Sequence, residues 1–479
     1  MAIAAATTTA NFVGNLNPEG DLANNGTVTG HSLFLSAGGA AVGGSLLTAT
    51  SATSGGAALF VAGDTIRIDS QKGGRALPQG NFVVTATSTV ADYMTFLDQV
   101  FGLNSAAGTF GFNRLGTTTP EATATAATAT TITDTSRNFT TLGVAVGDLI
   151  RLTSGTLAGA LATVTAVAAT TLTVASFSGG GTPAVGDKFT VHKPVGVTID
   201  AAGLIAANGN VGTQNALTDI VATKVPASGT NTTPFTFTQT VTADGSSAHA
   251  SWTMYDSLGG NHVVDINMVM ELRNSTTTTW RYYADAGDDT DVDLVVGTGT
   301  ATFDTTGQYS TTAPLNNQLS VDFASMGVAT PQVMSLDFSQ MTNLGDGVSD
   351  FNLESQDGFQ RGVLSTFSVG QDGVVTGTFS NGLTRDIAQV ALARFSNNNG
   401  LVSQGENLYG IGTNSGPAQI GAAGSGSRGL IRGGALEEAN VDLSREFTDL
   451  ITTQRGFQAN ARVITTADDM LQELVNLKR

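Results

Sequence analysis

Four histidines, His31, His192, His249 and His262, are the side chains best suited to bind a metal or move a proton near neutral pH. No two of them share a ligand-like spacing, so each reads as a strand or turn residue. There is no cysteine, which excludes disulfides, thiolate metal sites and cysteine nucleophiles together. No Gly-x-Ser-x-Gly elbow occurs either. Gly424-Ser425-Gly426-Ser427-Arg428-Gly429 satisfies the dinucleotide-binding spacing letter for letter. That chemistry needs a strand before the motif and a helix opening inside it, whereas here helical text starts about twelve residues later, so the segment reads as a connector. Asp285, Asp288, Asp289, Asp291 and Asp293 form an acidic cluster. An EF-hand register begun at Asp285 puts Val296 where the bidentate Glu belongs and Thr290 where Gly belongs. A solvated hairpin loop is the principal reading of the cluster, and a calcium site the alternative. With 6% aromatic residues a sugar-stacking face is thinly supplied. No catalysis, cofactor or metal is expected.

Composition narrows the partners. The chain has 479 residues with 39 acidic and 21 basic side chains, a net charge of −18, and only 13% charged residues. An acidic surface repels phosphate backbones and anionic lipid, so neither nucleic acid nor a membrane is an expected partner. No apolar run is long enough to span a bilayer as a helix. The opening Met1-Ala2-Ile3-Ala4-Ala5-Ala6-Thr7 lacks a basic n-region and a secretory h-region, so export would proceed without a cleaved signal peptide of that kind. The missing cysteines suit work outside the reducing cytosol. Hydrophobic residues make up 41%, enough to build cores.

The elements that position these residues are mostly strands. Through residues 8–430, Thr, Val, Phe and Ile alternate with small polar residues and are cut by Gly, Asn-Gly and Asp-Gly, the period-two pattern of half-buried antiparallel strands. From His262 to Leu272, Val264, Ile266, Met268, Met270 and Leu272 fall on one face and Asp265, Asn267 and Glu271 on the other. From Leu364 to Phe379, two strands meet at Gly370-Gln371-Asp372-Gly373, and Asn381-Gly382 makes the next turn. A short motif recurs three times, at Val61-Ala62-Gly63-Asp64, Val146-Gly147-Asp148 and Val185-Gly186-Asp187. Each copy reads as a turn feeding a strand, because Gly accepts positive φ and Asp bonds the turn backbone. Ala91–Leu103 is the one helix expected before the carboxyl end.

After Gly434 the text changes. Leu436, Leu443, Leu450, Phe457, Ile464 and Leu471 recur at spacing seven, and a seam four residues on holds Phe447, Ala461 and Val475, interrupted by Asn440, Gln454 and Asp468. Asn440 or Asp442 is a suitable N-cap, with Glu437, Glu438 and Asp442 at the positive end of the helix dipole and Lys478 and Arg479 at the negative end. Val441–Leu477 is therefore expected to form one helix about 55 Å long. Leaving six large apolar side chains in water would forfeit on the order of 10 kcal/mol. The stripe has the form of a coiled-coil seam and no second long helix accompanies it, so its partner is expected on another chain or in a segment outside this sequence. A helix lying across a sheet of its own domain is the alternative.

The carboxyl-terminal text Gly434-Ala435-Leu436-Glu437-Glu438-Ala439-Asn440-Val441-Asp442-Leu443, then Glu446-Phe447, Leu450-Ile451, Gln454-Arg455-Gly456-Phe457-Gln458-Ala459-Asn460 and Ile464-Thr465-Thr466-Ala467-Asp468-Asp469-Met470-Leu471, resembles the terminal motif of bacterial flagellar axial proteins. Gly362-Val363-Leu364-Ser365, Asp372-Gly373-Val374-Val375-Thr376-Gly377, Phe379-Ser380-Asn381-Gly382, Ile387-Ala388-Gln389-Val390-Ala391-Leu392-Ala393, Asn407-Leu408-Tyr409 and Tyr255-Asp256-Ser257-Leu258-Gly259-Gly260-Asn261-His262 are similar to the hook proteins of that group, with Gly14-Asn15-Leu16-Asn17 a weaker echo.

The resemblance implies a mainly β fold of several antiparallel β-sandwich or barrel-like domains with nested insertions, plus one long C-terminal coiled-coil-type α-helix. Residues 1–29 with 223–345 would form the outer β domain of a hook protein. Residues 30–117 with 194–222 would form an inserted β domain with one helix, and 118–193 a nested small β module. An inner β domain and connector would span 346–432, and the axial-core helix 433–479. It further implies an extracellular, secreted homopolymer, a flagellar universal joint between rod and filament. The other implied partners are the distal rod, the hook–filament junction, the hook cap and the flagellar export apparatus. In the family the carboxyl helix pairs with an amino-terminal helix bearing an Asn-Asn-Ile-Ala-Asn-type motif, whereas this sequence starts directly in strand text. Leu436, Leu443, Phe447, Leu450, Phe457, Ala461, Ile464 and Leu471 are the expected assembly contacts. The competing class is a secreted surface adhesin or β-domain array on a coiled-coil stalk.

Overall fold

A computed structural model describes residues 2–477 apart from 20–24, 105–112, 116–120, 274–275, 290–292, 311–316, 325–326, 329, 346, 437 and 439–440. The chain divides into two units, Met1–Val363 and Leu364–Arg479.

The first unit is all β but for one helix longer than a single turn among its described residues, and it has three principal apolar cores. In the first core, two four-stranded sheets pack against each other. One sheet runs Gln318–Val321, Gln332–Thr342, Thr9–Asn15, Asp350–Gln356 in spatial order; the other is the meander Ser247–Tyr255, Asn261–Arg273, Thr277–Ala286, Val295–Asp304. Phe12 sits between them, edge-on to Trp252 at 5.8 Å and against Phe338 at 5.5 Å. The expectation of antiparallel pairing fails at one place: Thr9–Asn15 runs parallel to Gln332–Thr342. Parallel neighbours need a long crossover, and more than three hundred intervening residues supply it.

The second core gathers the strands Asn25–Ser32, Thr65–Lys72, Leu204–Val211 and Leu217–Val225 around the helix Val90–Val100. That helix opens with a capping box in which Thr89 and Asp92 satisfy each other's backbone N–H, and it buries Val90, Tyr93, Phe96, Leu97 and Val100. The third core is enclosed by a seven-stranded sheet within residues 122–192 and centres on Phe139 and Phe189. The three Gly-Asp motifs of these two cores form one and the same turn. Gly63, Gly147 and Gly186 have φ of 97°, 96° and 97°. Asp64, Asp148 and Asp187 accept the backbone N–H of Val61, Ala145 and Ala184 at 2.9, 2.8 and 2.8 Å.

The alternation in Asn261–Arg273 is real, since Val264, Ile266, Met268 and Met270 all enter the first core. Leu272 does not, because the register shifts between Met270 and Leu272. The opposite face is solvated at Val263 but closed over at its middle. Asn267 is fully buried there, donating to Asn215 at 3.0 Å and accepting from Arg75 at 3.0 Å, while Val269 packs with Val211 and Tyr283. Lys72 and Asp285 join the same two sheets through an ion pair of 2.7 Å. The second core thus rests on the back of the first.

The second unit begins with strands meeting at the expected turns, Val374–Phe379 followed by Thr384–Gln389, with Gly373 and Gly382 at φ of 81° and 80°. It continues through short two-stranded pairings to a helix, Leu443–Asn476.

Candidate assembly surface

The C-terminal helix starts at a single well-made cap. The Asp442 carboxylate accepts the N–H groups of Ser444 and Arg445 at 2.9 and 3.3 Å, and Glu446 adds negative charge to the first turn. Asp442 thus takes the cap role; Asn440, Glu437, Lys478 and Arg479 lie outside the described residues. Thr448, Thr452 and Thr466 turn their hydroxyls back onto the carbonyls of Ser444, Thr448 and Arg462 at 2.7, 2.8 and 2.8 Å, which hides polar atoms along the helix surface. The 34 residues span about 51 Å at 1.5 Å per residue.

Leu443, Phe447, Leu450, Phe457, Ala461, Ile464 and Leu471 all lie on this helix, and none is buried. Phe457 is 75% exposed. Leu436 is different: it precedes the helix, in the connector, and is 96% exposed. Because seven residues fall about 20° short of two helical turns, the stripe drifts by about 80° between Leu443 and Leu471, the hand of a left-handed wrap. Leu443, Phe447, Leu450 and Phe457, rimmed by Glu446, Asp449 and Gln454, line a bay of about 820 Å³. The alternative of a helix laid across a sheet of its own domain has no counterpart here, since no described residue of the helix is buried.

Two further apolar surfaces were not read from the sequence. Val463, Met470 and Leu474, with Leu477 just past the last helical residue, are exposed along the flank of the helix roughly a quarter-turn round from the stripe, aligned with Ala467 at spacings of three and four. Their spacing was available, but the unbroken sevenfold repeat masked it. In the strands and connections of the second unit, Phe367, Leu408, Tyr409, Ile411, Ile420 and Leu430 are all exposed, whereas Phe379 and Ala423 are the only buried apolar side chains among its described residues. Single exposed leucines are ordinary, but a whole β region with two buried apolar residues lacks the burial an independent fold requires.

The candidates for chemistry disperse. His262 is held between Asp256 at 3.1 Å and Asp288 at 3.3 Å and stacks on Phe323. His249 contacts Asn267 and Asp265, His192 contacts Thr190, and His31 is exposed. Asp285 pairs with Lys72 and Asp288 with His262, and Asp291 lies outside the described residues. Among the described residues no three His, Cys, Asp or Glu side chains are grouped to hold a metal ion, and no helix is long and apolar enough to cross a membrane. The glycine run 424–429 is a turn, where Arg428 donates to the Ala422 carbonyl at 3.2 Å, and no helix opens within it.

Residues 432–477 match the family profile of the flagellar basal body rod FlgEFG protein C-terminal region, and residues 224–359 that of the flagellar basal body protein FlaE D2 domain. The flagellar hook protein FlgE of Borreliella burgdorferi is 35% identical over 255 residues, covering 48% of this chain and 55% of that protein. The Escherichia coli FlgE is 34% identical over 247 residues, covering 51% and 58%. The Helicobacter pylori FlgE is 46% identical over 158 residues, covering 32% and 22%. The chain thus spans little more than half the length of the first two relatives. The crystal structure of Helicobacter pylori FlgE2 superposes with a TM-score of 0.27 at 13% identity, covering 85% of this chain and 71% of that one, a likeness too weak to bear on the fold. The resemblance to flagellar axial proteins read from the C-terminal motif, and to hook proteins read from the text upstream of it, is borne out by the sequence matches.

Proposed function

We propose, taking kinship with the flagellar hook proteins as the premise, that this chain is a structural subunit of the bacterial flagellar hook. It assembles with copies of itself into a tube that transmits torque between rod and filament. The observation that carries the reading is the helix Leu443–Asn476, about 51 Å long, whose apolar stripe from Leu443 to Leu471 covers about 42 Å with none of its described residues buried within the chain. Stripes of this form are stable only when another helix lies in them. The exposed apolar residues of the second unit support the same reading, since they too need cover from another polypeptide segment.

In this reading the seam of Leu443, Leu450, Phe457, Ile464 and Leu471 supplies stiffness, and the strands, poor in charge and rich in Thr, Ala and Gly, supply contacts that can slide. Many small side chains give no deep single register, so neighbours shift as the tube bends. Residues 30–117 with 194–222, and 118–193 nested within them, are insertions in the 1–29 with 223–345 domain. Residues 346–432, apart from the strand Asp350–Gln356 that the sheet of the first core takes up, form the inner domain and connector, and 433–479 the axial part. The distal rod, the hook–filament junction, the hook cap and the export apparatus are its proposed neighbours. The adhesin alternative has no observation in its favour.

The test is replacement of the chain in its own cells by the Leu450→Asp, Phe457→Asp double variant. Hooks and motility are expected to be lost, while the purified variant keeps the β spectrum and unfolding midpoint of the parent, because neither residue is buried in the free chain. Normal hooks from the double variant would overturn the reading.

A further inference from the structure

We propose that Lys72 and Asp285 become joined by an isopeptide bond that the folded chain makes for itself. Lys72 closes the strand Thr65–Lys72 of the second core, and Asp285 lies near the end of Thr277–Ala286 in the first. The lysine side chain is 1% exposed and the aspartate 9%, with Nζ 2.7 Å from Oδ2. Nζ also donates to the Gly102 carbonyl at 2.9 Å, a second contact that holds the amine beside the carboxylate. The second carboxyl oxygen, Oδ1, is buried with no hydrogen-bond partner among the described residues. A side chain at Gly102 would stand 3.0 Å from both Oδ1 and Nζ, so the approach depends on glycine there.

An isolated buried ion pair is costly, and passing one proton from ammonium to carboxylate gives an amine and a carboxylic acid, the two reactants of amide formation. Burial pushes the Asp285 carboxyl above the ordinary range, and the Lys72 charge opposes that shift without reversing it. A third group stands beside them. Asp265 is directly opposite Asp285 on the neighbouring strand, and both line one cavity of about 390 Å³ with Lys72 and Arg75. Directly opposed residues of an antiparallel pair share a face, with Cβ atoms about 5 Å apart.

The step balances without any co-reactant. The Nζ lone pair attacks Cγ of protonated Asp285 and an N–C bond forms. Asp265 takes a proton from the attacking nitrogen and returns it to the departing hydroxyl. The C–O bond breaks and one water leaves through the open side of the cavity. Nothing is oxidised or reduced. The product replaces a buried ion pair by a neutral amide and ties the two cores through residues more than two hundred positions apart in sequence. A chain with no cysteine gains in this way a covalent staple that disulfides cannot give it.

Intact-mass measurement on the purified full chain decides the matter. The expected mass is lower than the sequence mass by one water, with one branched peptide containing Lys72 and Asp285 after proteolysis. Lys72→Arg is expected at full mass, folded as judged by its β spectrum, and unfolding at a lower temperature than the parent. Asp265→Asn is expected to remain folded and to retain the water, in whole or in large part. A parent chain at full mass, with separate Lys72 and Asp285 peptides, would overturn the bond. A fully dehydrated Asp265→Asn chain would overturn the role given to Asp265. Neither result touches the assembly reading, which rests on a different unit of the chain.

Discussion

The Gly-Asp turns tie a three-letter motif to a measurable energy. In the copy at Ala145–Asp148, a Cβ built on Gly147 would meet no atom within 4 Å, so a substitution there tests backbone conformation alone. Gly147→Ala is expected to cost about 1–2 kcal/mol, the penalty for an L-residue at positive φ, read as a lower urea midpoint. A neighbouring carboxylate sets a pH dependence. Burial pushes Asp134 up, but the Ser136 hydroxyl, the N–H groups of Thr123 and Ser136 and the Arg137 guanidinium outweigh it, leaving the group below its ordinary 3.8. A carboxylate whose pKa is lowered by folding contributes stability that is complete above the unfolded value and lost as the pH falls through the folded one. The urea midpoint should therefore decline between about pH 5 and pH 2, and Asp134→Asn should make that decline shallower.

At the scale of elements, the long helix shows what a repeat can and cannot tell. Its stripe, its cap at Asp442 and its end near Asn476 were legible because spacing seven and capping chemistry are local. Leu436 was swept into the stripe by number alone; the helix starts seven residues later, at the first position with a cap before it. Gly456 carries the prediction at this scale. No atom lies within 4 Å of a Cβ built on it, so Gly456→Ala should raise helix content in the free chain by about 1 kcal/mol of local stability, followed by far-UV circular dichroism during heating. If assembly uses the bare glycine for close backbone approach, the same variant should assemble more weakly despite its firmer helix. Assembly improved in step with helicity would remove any special role for the glycine.

Over the whole molecule, the β class and most turns were legible because alternation and glycine placement are properties of neighbouring residues. What was not legible depends on which surfaces meet. Asp265, Asn267 and Glu271 read as a wet face, yet Asn267 is fully enclosed because Asn215 and Arg75, distant in sequence, close over it. The Lys72–Asp285 contact was hidden for the same reason, and Asp285 was grouped instead with the acids beside it in sequence. The exposed side chains of Phe367, Leu408 and Ile420 could not be told from core residues by pattern, since a strand that waits for a partner is written like one that already has it. The strand Thr9–Asn15 lies between Gln332–Thr342 and Asp350–Gln356. A ribosome that has delivered the first three hundred residues has therefore produced one middle rib and neither of its flanks. The sheet stays unbuilt until most of the polypeptide has emerged, so its closure waits on contacts between the two ends of the first unit.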